Sequence, residues 1–198
     1  MIYKWFNPDM KYARYLGKND SDESSMCWDS PILGDPLPPL SEWETPLLVQ
    51  FIGNGQTKNK IISDCVSSGV QKLISQKAVD ALADIWQKHA TLYPVKLEDK
   101  PDTAYYMVVV HTVIDCINRE QSKGMIQISG KNAGKGYFGS MTKWVFREDE
   151  IGDNCMFVLP DSATSIYVTD EFKQRVIDAG LTGFGFVKEP YDEDPFIS

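Results

Sequence analysis

With 198 residues, 42% of them hydrophobic and 24% charged, the chain can close a hydrophobic core and falls outside the compositions of disordered or fibrous sequences. The opening MIYKWFNPDM holds no apolar run of signal-peptide length, and no stretch approaches the roughly 18 apolar residues of a membrane span. Residence in the cytoplasm is therefore expected, with no membrane partner. The net charge of -8 is segregated: residues 1–50 carry four bases and eight acids, 51–147 thirteen and eight, and 148–198 three and twelve.

Residues 17–46 read as an irregular arm, because GKNDSDESS is small and polar and SPILGDPLPPLSEWETP spends five prolines in a short space. LLVQFIG, residues 47–53, is a β-compatible run closed by the turn signal Gly53-Asn54-Gly55. From Ser75 the period lengthens. Ala78, Val79, Leu82, Ile85, Trp86 and His89 recur at three- and four-residue steps, which predicts a helix from Gln76 to about Lys88 with Ser75 as its N-cap. TLYPVKLE follows as a strand whose Pro94 favours an edge or an irregularity.

YYMVVVHTVI, residues 105–114, is rich in β-branched and aromatic residues and reads as a central strand. MIQIS and KWVFR are expected as strands on either side of the glycine-rich NAGKGYFGS, with CMFVL as the next. SIYVT then leads into a helix capped at Thr169, with Asp170 and Glu171 in its first turn and Phe172, Val176 and Ile177 on its apolar face. Gly180 ends that helix and GFGFV returns as a strand. The expected fold class is α+β: a single domain over 1–198 built on a mixed, mostly antiparallel sheet, a few packed helices and a C-terminal strand-helix-strand unit. An acidic tail at about 188–198 hangs from it.

Catalytic patterns are weak. Cys27, Cys65, Cys116 and Cys155 are far apart with no CxxC pair, so they read as reduced, partly buried thiols rather than metal ligands or disulfides. Gly134, Gly136 and Gly139 match GxGxxG, but a strand rather than a helix is expected next, and the pyrophosphate of a dinucleotide needs the helix. Ser140 to Lys143 spells SxxK without its helix or companion motifs. The only histidines, His89 and His111, fall on the helix face and in the central strand. Asp115, Arg119 and Glu120 read as ion pairs that fix a loop. No catalytic residue, metal site or cofactor is assigned. An enzyme using Cys116 or His111 is kept as an alternative.

Gln121 to Arg147 contains no acid, while Lys123, Lys131, Lys135, Lys143 and Arg147 share it with Tyr137, Phe138, Trp144 and Phe146. Bases neutralise phosphates and aromatic faces stack on nucleobases, so a nucleic-acid module over 123–147 is the second alternative. The acidity of the whole chain makes nucleic acid the less favoured partner.

Three phrases carry a resemblance to a family: LISQKAVDALADI at 73–85, YYMVVVHTVIDCINREQS at 105–122 and IYVTDEFKQRVIDAGLTGFGF at 166–186. Their order and wording resemble an immunity-protein family of bacterial polymorphic toxin systems, formerly known only as a domain of unknown function. Members place a tyrosine-led strand before a D-x-x-(D/N)-R-E-x-S-like phrase, and here Asn118 stands where an acid is common. The resemblance covers about 60–187. It implies a non-enzymatic, partner-neutralising role, with the cognate toxin encoded by a neighbouring gene. The acids Glu148, Asp149, Glu150 and Asp153, with Glu189, Asp192, Glu193 and Asp194 in the tail, are the candidate partner-binding residues, because segregated acids suit a basic toxin surface.

Overall fold

The computed structural model describes residues 1–8, 12–19, 37–51, 61–128 and 133–189. Most of the arm, the Gly53-Asn54-Gly55 turn, Lys131 and the tail from 190 lie outside the described residues. In chain order the strands are β1 (Ile2–Phe6), β2 (Tyr15–Gly17), β3 (Leu47–Gln50), β4 (Cys65–Ser68), β5 (Gln71–Ser75), β6 (Ala90–Leu97), β7 (Tyr105–Val110), β8 (Lys123–Ile126), β9 (Phe138–Lys143), β10 (Met156–Leu159), β11 (Ser162–Thr169) and β12 (Gly185–Glu189). The helices are α1 (Gln76–Ala81), α2 (Ala83–His89) and α3 (Asp170–Asp178).

One sheet runs β2-β3-β6-β7-β5-β4, a second β10-β11-β1-β12, and β8 pairs with β9 alone. Among these pairings only β3 with β6 is parallel, so the fold is α+β with mostly antiparallel sheets, as the sequence predicts. β7 sits inside the larger sheet. Its alternation serves two cores: Val108 and Val110 face one, Tyr105 and Met107 the other.

The first core is shared by both sheets and all three helices, through Trp5, Ile74, Trp86, Val108, Val168 and Phe172 among others. The second covers the far face of the large sheet with Tyr15, Leu48, Leu73 and Leu97. The third covers the far face of the small sheet with Ile2, Cys116, Phe157 and Tyr167. β1 lies between β11 and β12, with Ile2 opposite both Thr169 and Glu189.

Several expectations are corrected. The helix begins at Ser75, whose hydroxyl accepts from Ala78 N at 3.4 Å, but it is broken at Leu82 (φ -124°, ψ 29°). The Trp86 indole donates to the Ala78 carbonyl at 3.0 Å, inserting a side chain into the helical ladder, and that is a cause of kinking. Pro94 lies in an interior strand rather than at an edge. Its carbonyl faces the β3 side and accepts the Trp43 indole at 2.8 Å, while β3 pairs with β6 only at Lys96 and Leu97, so no ladder donor is missed there.

β7 ends at Val110, and the chain crosses to the small sheet, where Val113 bridges Val158. KWVFR is not the second hairpin strand. That strand is β9, and Trp144 and Phe146 pack against Tyr167 instead. In α3, Phe172 and Val176 are buried, but Ile177 is 56% exposed. Gly180 has φ 58°, the left-handed stop expected of it.

Candidate partner-binding surface

Between β7 and β8 the chain passes through DCINREQS, residues 115–122, and this phrase builds the base of the β8–β9 hairpin. Cys116 and Ile117 are buried, which anchors the backbone while the polar residues around them reach the returning chain. Asn118 N donates to Val145 O at 2.8 Å, Arg147 N to Cys116 O at 2.7 Å, and Ile117 bridges Phe146. The Asn118 side-chain oxygen accepts from Gln121 N at 3.1 Å and Ser122 N donates to Asn118 O at 2.9 Å, closing one turn. Ser122 Oγ then accepts from Val145 N at 3.0 Å. A carboxylate at 118 could accept the same Gln121 bond.

Arg119 completes the clamp. It donates to Asp115 at 2.6 Å and, through both terminal nitrogens, to Asp161 at 2.7 and 3.1 Å. The Asp161 side chain has 0% exposure, and its Oδ1 also accepts from Phe138 N at 2.6 Å, so one buried carboxylate pins both Arg119 and the first residue of β9. Burial works against the Arg119 charge, but the hydrogen bond and charge of Asp161 outweigh it and raise the guanidinium pKa. The guanidinium lies 5.0 Å from the Tyr137 ring centroid and 5.9 Å from that of Phe138. Asp161 was not singled out in the sequence; a lone acid after a strand carries no local sign of burial.

From this base the hairpin projects into solvent. Every residue of β8 is exposed, with Met125 at 72% and Ile126 at 47%, and Ile128 beyond it reaches 91%. Lys123 and Lys143 are exposed beside them. At Gly124 a Cβ would collide with the Ser140 carbonyl, so the bulge between Lys123 and Gly124 requires glycine. Phe138 is buried, while Trp144 and Phe146 stack on each other (6.2 Å, 11°) and meet Tyr167 at steep angles (50° and 61°). Three of the four aromatics proposed to stack on nucleobases are thus committed to packing.

The acids after the hairpin form a short exposed turn. Glu150 pairs with Arg147 at 3.0 Å, Asp153 with Lys88 at 2.9 Å, and Glu148 lies 3.8 Å from the Met1 amine. The hydrogen bond from Lys88 holds the Asp153 carboxyl below the usual carboxylate range. Asp149 is exposed on the same turn. Glu189 ends β12, and Asp192, Glu193 and Asp194 lie outside the described residues.

The candidate reactive groups sit in inert surroundings. Burial pushes the thiols of Cys65 and Cys116 up to about 12 and that of Cys155 to about 11, the opposite of what a nucleophile needs. Cys27 lies outside the described residues. His111 is exposed, with Nε2 3.2 Å from the Lys88 carbonyl, and His89 is buried with Nδ1 3.0 Å from Thr112 Oγ1. Gly134 and Gly136 occupy a turn and Gly139 lies within β9, so the strand-glycine-helix order of a dinucleotide site is not formed. Ser140 and Lys143 lie on the bulged strand β9 and not in the first turn of a helix, so the helical geometry that an SxxK pair needs is not formed.

The most conspicuous polar motif of this α+β protein thus builds a hairpin base, with exposed apolar side chains beyond it. The Imm11 immunity protein family model matches residues 65–189, well over half the chain, and the protein belongs to that family. Membership carries an immunity function against toxins. The matched span runs from β4 to the end of β12 and includes the 115–122 phrase, the hairpin and Asp161, while β1, β2 and β3 lie outside it. No curated protein matches the chain. Among the described residues no helix is long and apolar enough to cross a membrane.

Proposed function

We propose that the protein acts in the cytoplasm as a non-enzymatic inhibitor, binding a cognate toxin encoded by a neighbouring gene and covering its active site or the path of its substrate. The observation that supports this reading is the clamped hairpin. Met125, Ile126 and Ile128 are held out from a base that Arg119 and Asp161 make rigid, and apolar side chains on a preorganised hairpin lose little entropy on docking. We take residues 1–198 as one immunity-type domain, in keeping with a first core that joins Tyr3 and Trp5 of β1, outside the family match, to Ile74 and Val168 within it.

In this reading the hairpin supplies the apolar centre of the interface. Glu148, Asp149, Glu150 and Asp153, with Glu189, Asp192, Glu193 and Asp194, supply a rim that attracts a basic part of the toxin. The test is coexpression of the chain with the toxin encoded beside it. Cells are expected to survive and the two proteins to copurify. Continued killing despite soluble coexpression would overturn the reading.

A further inference from the structure

A cavity of about 360 Å³ opens where the two edge strands of the large sheet, β2 and β4, approach each other at the Arg14–Ser67 bridge, lined by Asn7, Arg14, Leu16, Phe51, Ser67 and Lys72 among others. Its chemistry is one-sided. Lys72 is largely withdrawn from solvent, and the one partner recorded for its ammonium among the described residues is neutral: Asn7 Oδ1 at 2.9 Å. The Asn7 amide is fixed in that orientation because its nitrogen donates to the carbonyls of Cys65 and Gly183, both at 3.4 Å.

Burial, together with the charges of Lys4 and Arg14, depresses the Lys72 pKa. Among the described residues no carboxylate pairs with Lys72 or Arg14, whereas Arg119, Arg147, Arg175, Lys18 and Lys88 have each found one. Lys72, withdrawn from solvent near the exposed Arg14 and with no counter-charge among the described residues, carries a desolvation cost. An anion would remove it.

We propose that this cavity binds the oxyanion group of a small organic molecule between Arg14 and Lys72, with the molecule's apolar body against Phe51 and Leu16. Arg14 offers a planar fork of donors and Lys72 a point charge, a pairing suited to phosphate or carboxylate oxygens. Ser67 and Asn7 add polar neighbours, and the volume falls at the lower end of small-molecule sites. The site is separate from the hairpin and does not depend on the toxin reading.

The test titrates inorganic phosphate and phenyl phosphate into the full chain by calorimetry, at constant ionic strength in chloride, for the parent, Lys72→Met and Arg14→Gln. The parent is expected to bind both saturably, with phenyl phosphate at least threefold tighter because its ring reaches Phe51. Each variant is expected to bind at least tenfold more weakly. Phosphate should raise the melting temperature of the parent alone, and Lys72→Met without added anion should melt no lower than the parent, since it removes an uncompensated cation.

Absence of saturable binding by the parent at tens of millimolar, or unchanged affinity in both variants, overturns the proposal. Equal affinity for the two probes overturns the organic body and leaves a bare oxyanion site. Should Lys72→Met fail to fold, Arg14→Gln decides alone. Toxin protection by the same variants is expected to be intact, which keeps the two readings distinguishable.

Discussion

The β8–β9 hairpin and the acidic turn that follows it are neighbours in sequence and opposites in chemistry. The hairpin and its flanks, from Gln121 to Arg147, hold no acid and leave Met125, Ile126 and Ile128 in water, while the turn from Glu148 to Asp153 packs four acids into six residues. The turn is the louder signal in the sequence. In the fold it is the more self-sufficient of the two, because Arg147, Lys88 and the Met1 amine already answer three of its carboxylates. The aliphatic residues of the hairpin have no such answer. Net charge along a sequence therefore overstates what a surface offers a partner, whereas an apolar side chain left in water by a rigid base is harder to explain without one.

The strongest way to break this comparison is to loosen the hairpin from its base. Asp161→Ala leaves Arg119 with only the exposed Asp115 as counter-charge and the Phe138 amide without its acceptor, and is expected to cost on the order of 3 kcal/mol in urea unfolding, with toxin affinity falling alongside. Asp161→Asn, which keeps an acceptor for Phe138, should lose less. If a folded Asp161→Ala protein bound toxin as tightly as the parent, the hairpin would not be the docking element.

A surgical version leaves the base alone. Met125→Asp combined with Ile128→Asp should weaken toxin binding about thirtyfold or more, through faster dissociation, while stability stays within about 0.5 kcal/mol. Surface plasmon resonance against the toxin separates the two rates. An unchanged dissociation rate would move the apolar centre elsewhere.

Charge on the rim should act on the other rate. Neutralising Glu148, Asp149, Glu150 and Asp153 together, and separately Glu189, Asp192, Glu193 and Asp194, should slow association severalfold at low salt and flatten its salt dependence, leaving dissociation nearly as it was. Identical association rates in the parent and both variants would remove steering from either group.

The smallest effect concerns what lies beneath the acidic turn, where Lys88 of α2 grips Asp153 and its neighbour His89 is buried. Burial first, then the charges of Lys88 and His111, lowers the His89 pKa below its usual 6.5. The unfolded chain therefore binds the proton first. Stability should be full above the unfolded value and decline as pH falls through about 6.5, flattening only below the folded value. Urea unfolding across a pH series should show this slope in the parent and lose it in His89→Gln; a slope that survived would place the titration elsewhere.

Much of the fold was legible where its causes are local. The Ser75 cap, the β-branched and aromatic run of β7 and the strand-helix-strand unit closed at Gly180 follow from neighbouring residues, and all stand in the structure. The break at Leu82 was not legible, because the Trp86 indole that reaches Ala78 fits an unbroken helical face equally well. KWVFR misled for a related reason: apolar alternation serves packing on Tyr167 as readily as a strand ladder. At the surface, the 115–122 phrase was recognisable, and the reading of Arg119 as an ion-pair residue holds. Its buried partner Asp161, 42 residues on, left no local trace. Nor could Ile128 be told from a core residue, since exposure is a property of what the rest of the chain leaves uncovered.

The position of β1 carries a consequence for timing. Ile2 pairs with both Thr169 and Glu189, so the interior strand of the small sheet waits for partners more than 160 residues away. Contacts so distant must close a long loop before they stabilise anything, and they slow folding accordingly. On the ribosome β1 emerges before β11 and β12 and stays without its ladder until both have been made. The third core, where Ile2 meets Cys116, Phe138 and Tyr167, cannot be completed sooner, and the hairpin base rests on that core. Protection should therefore lag behind synthesis of the chain by its folding time, a delay that any toxin made in the same cell would have to outlast.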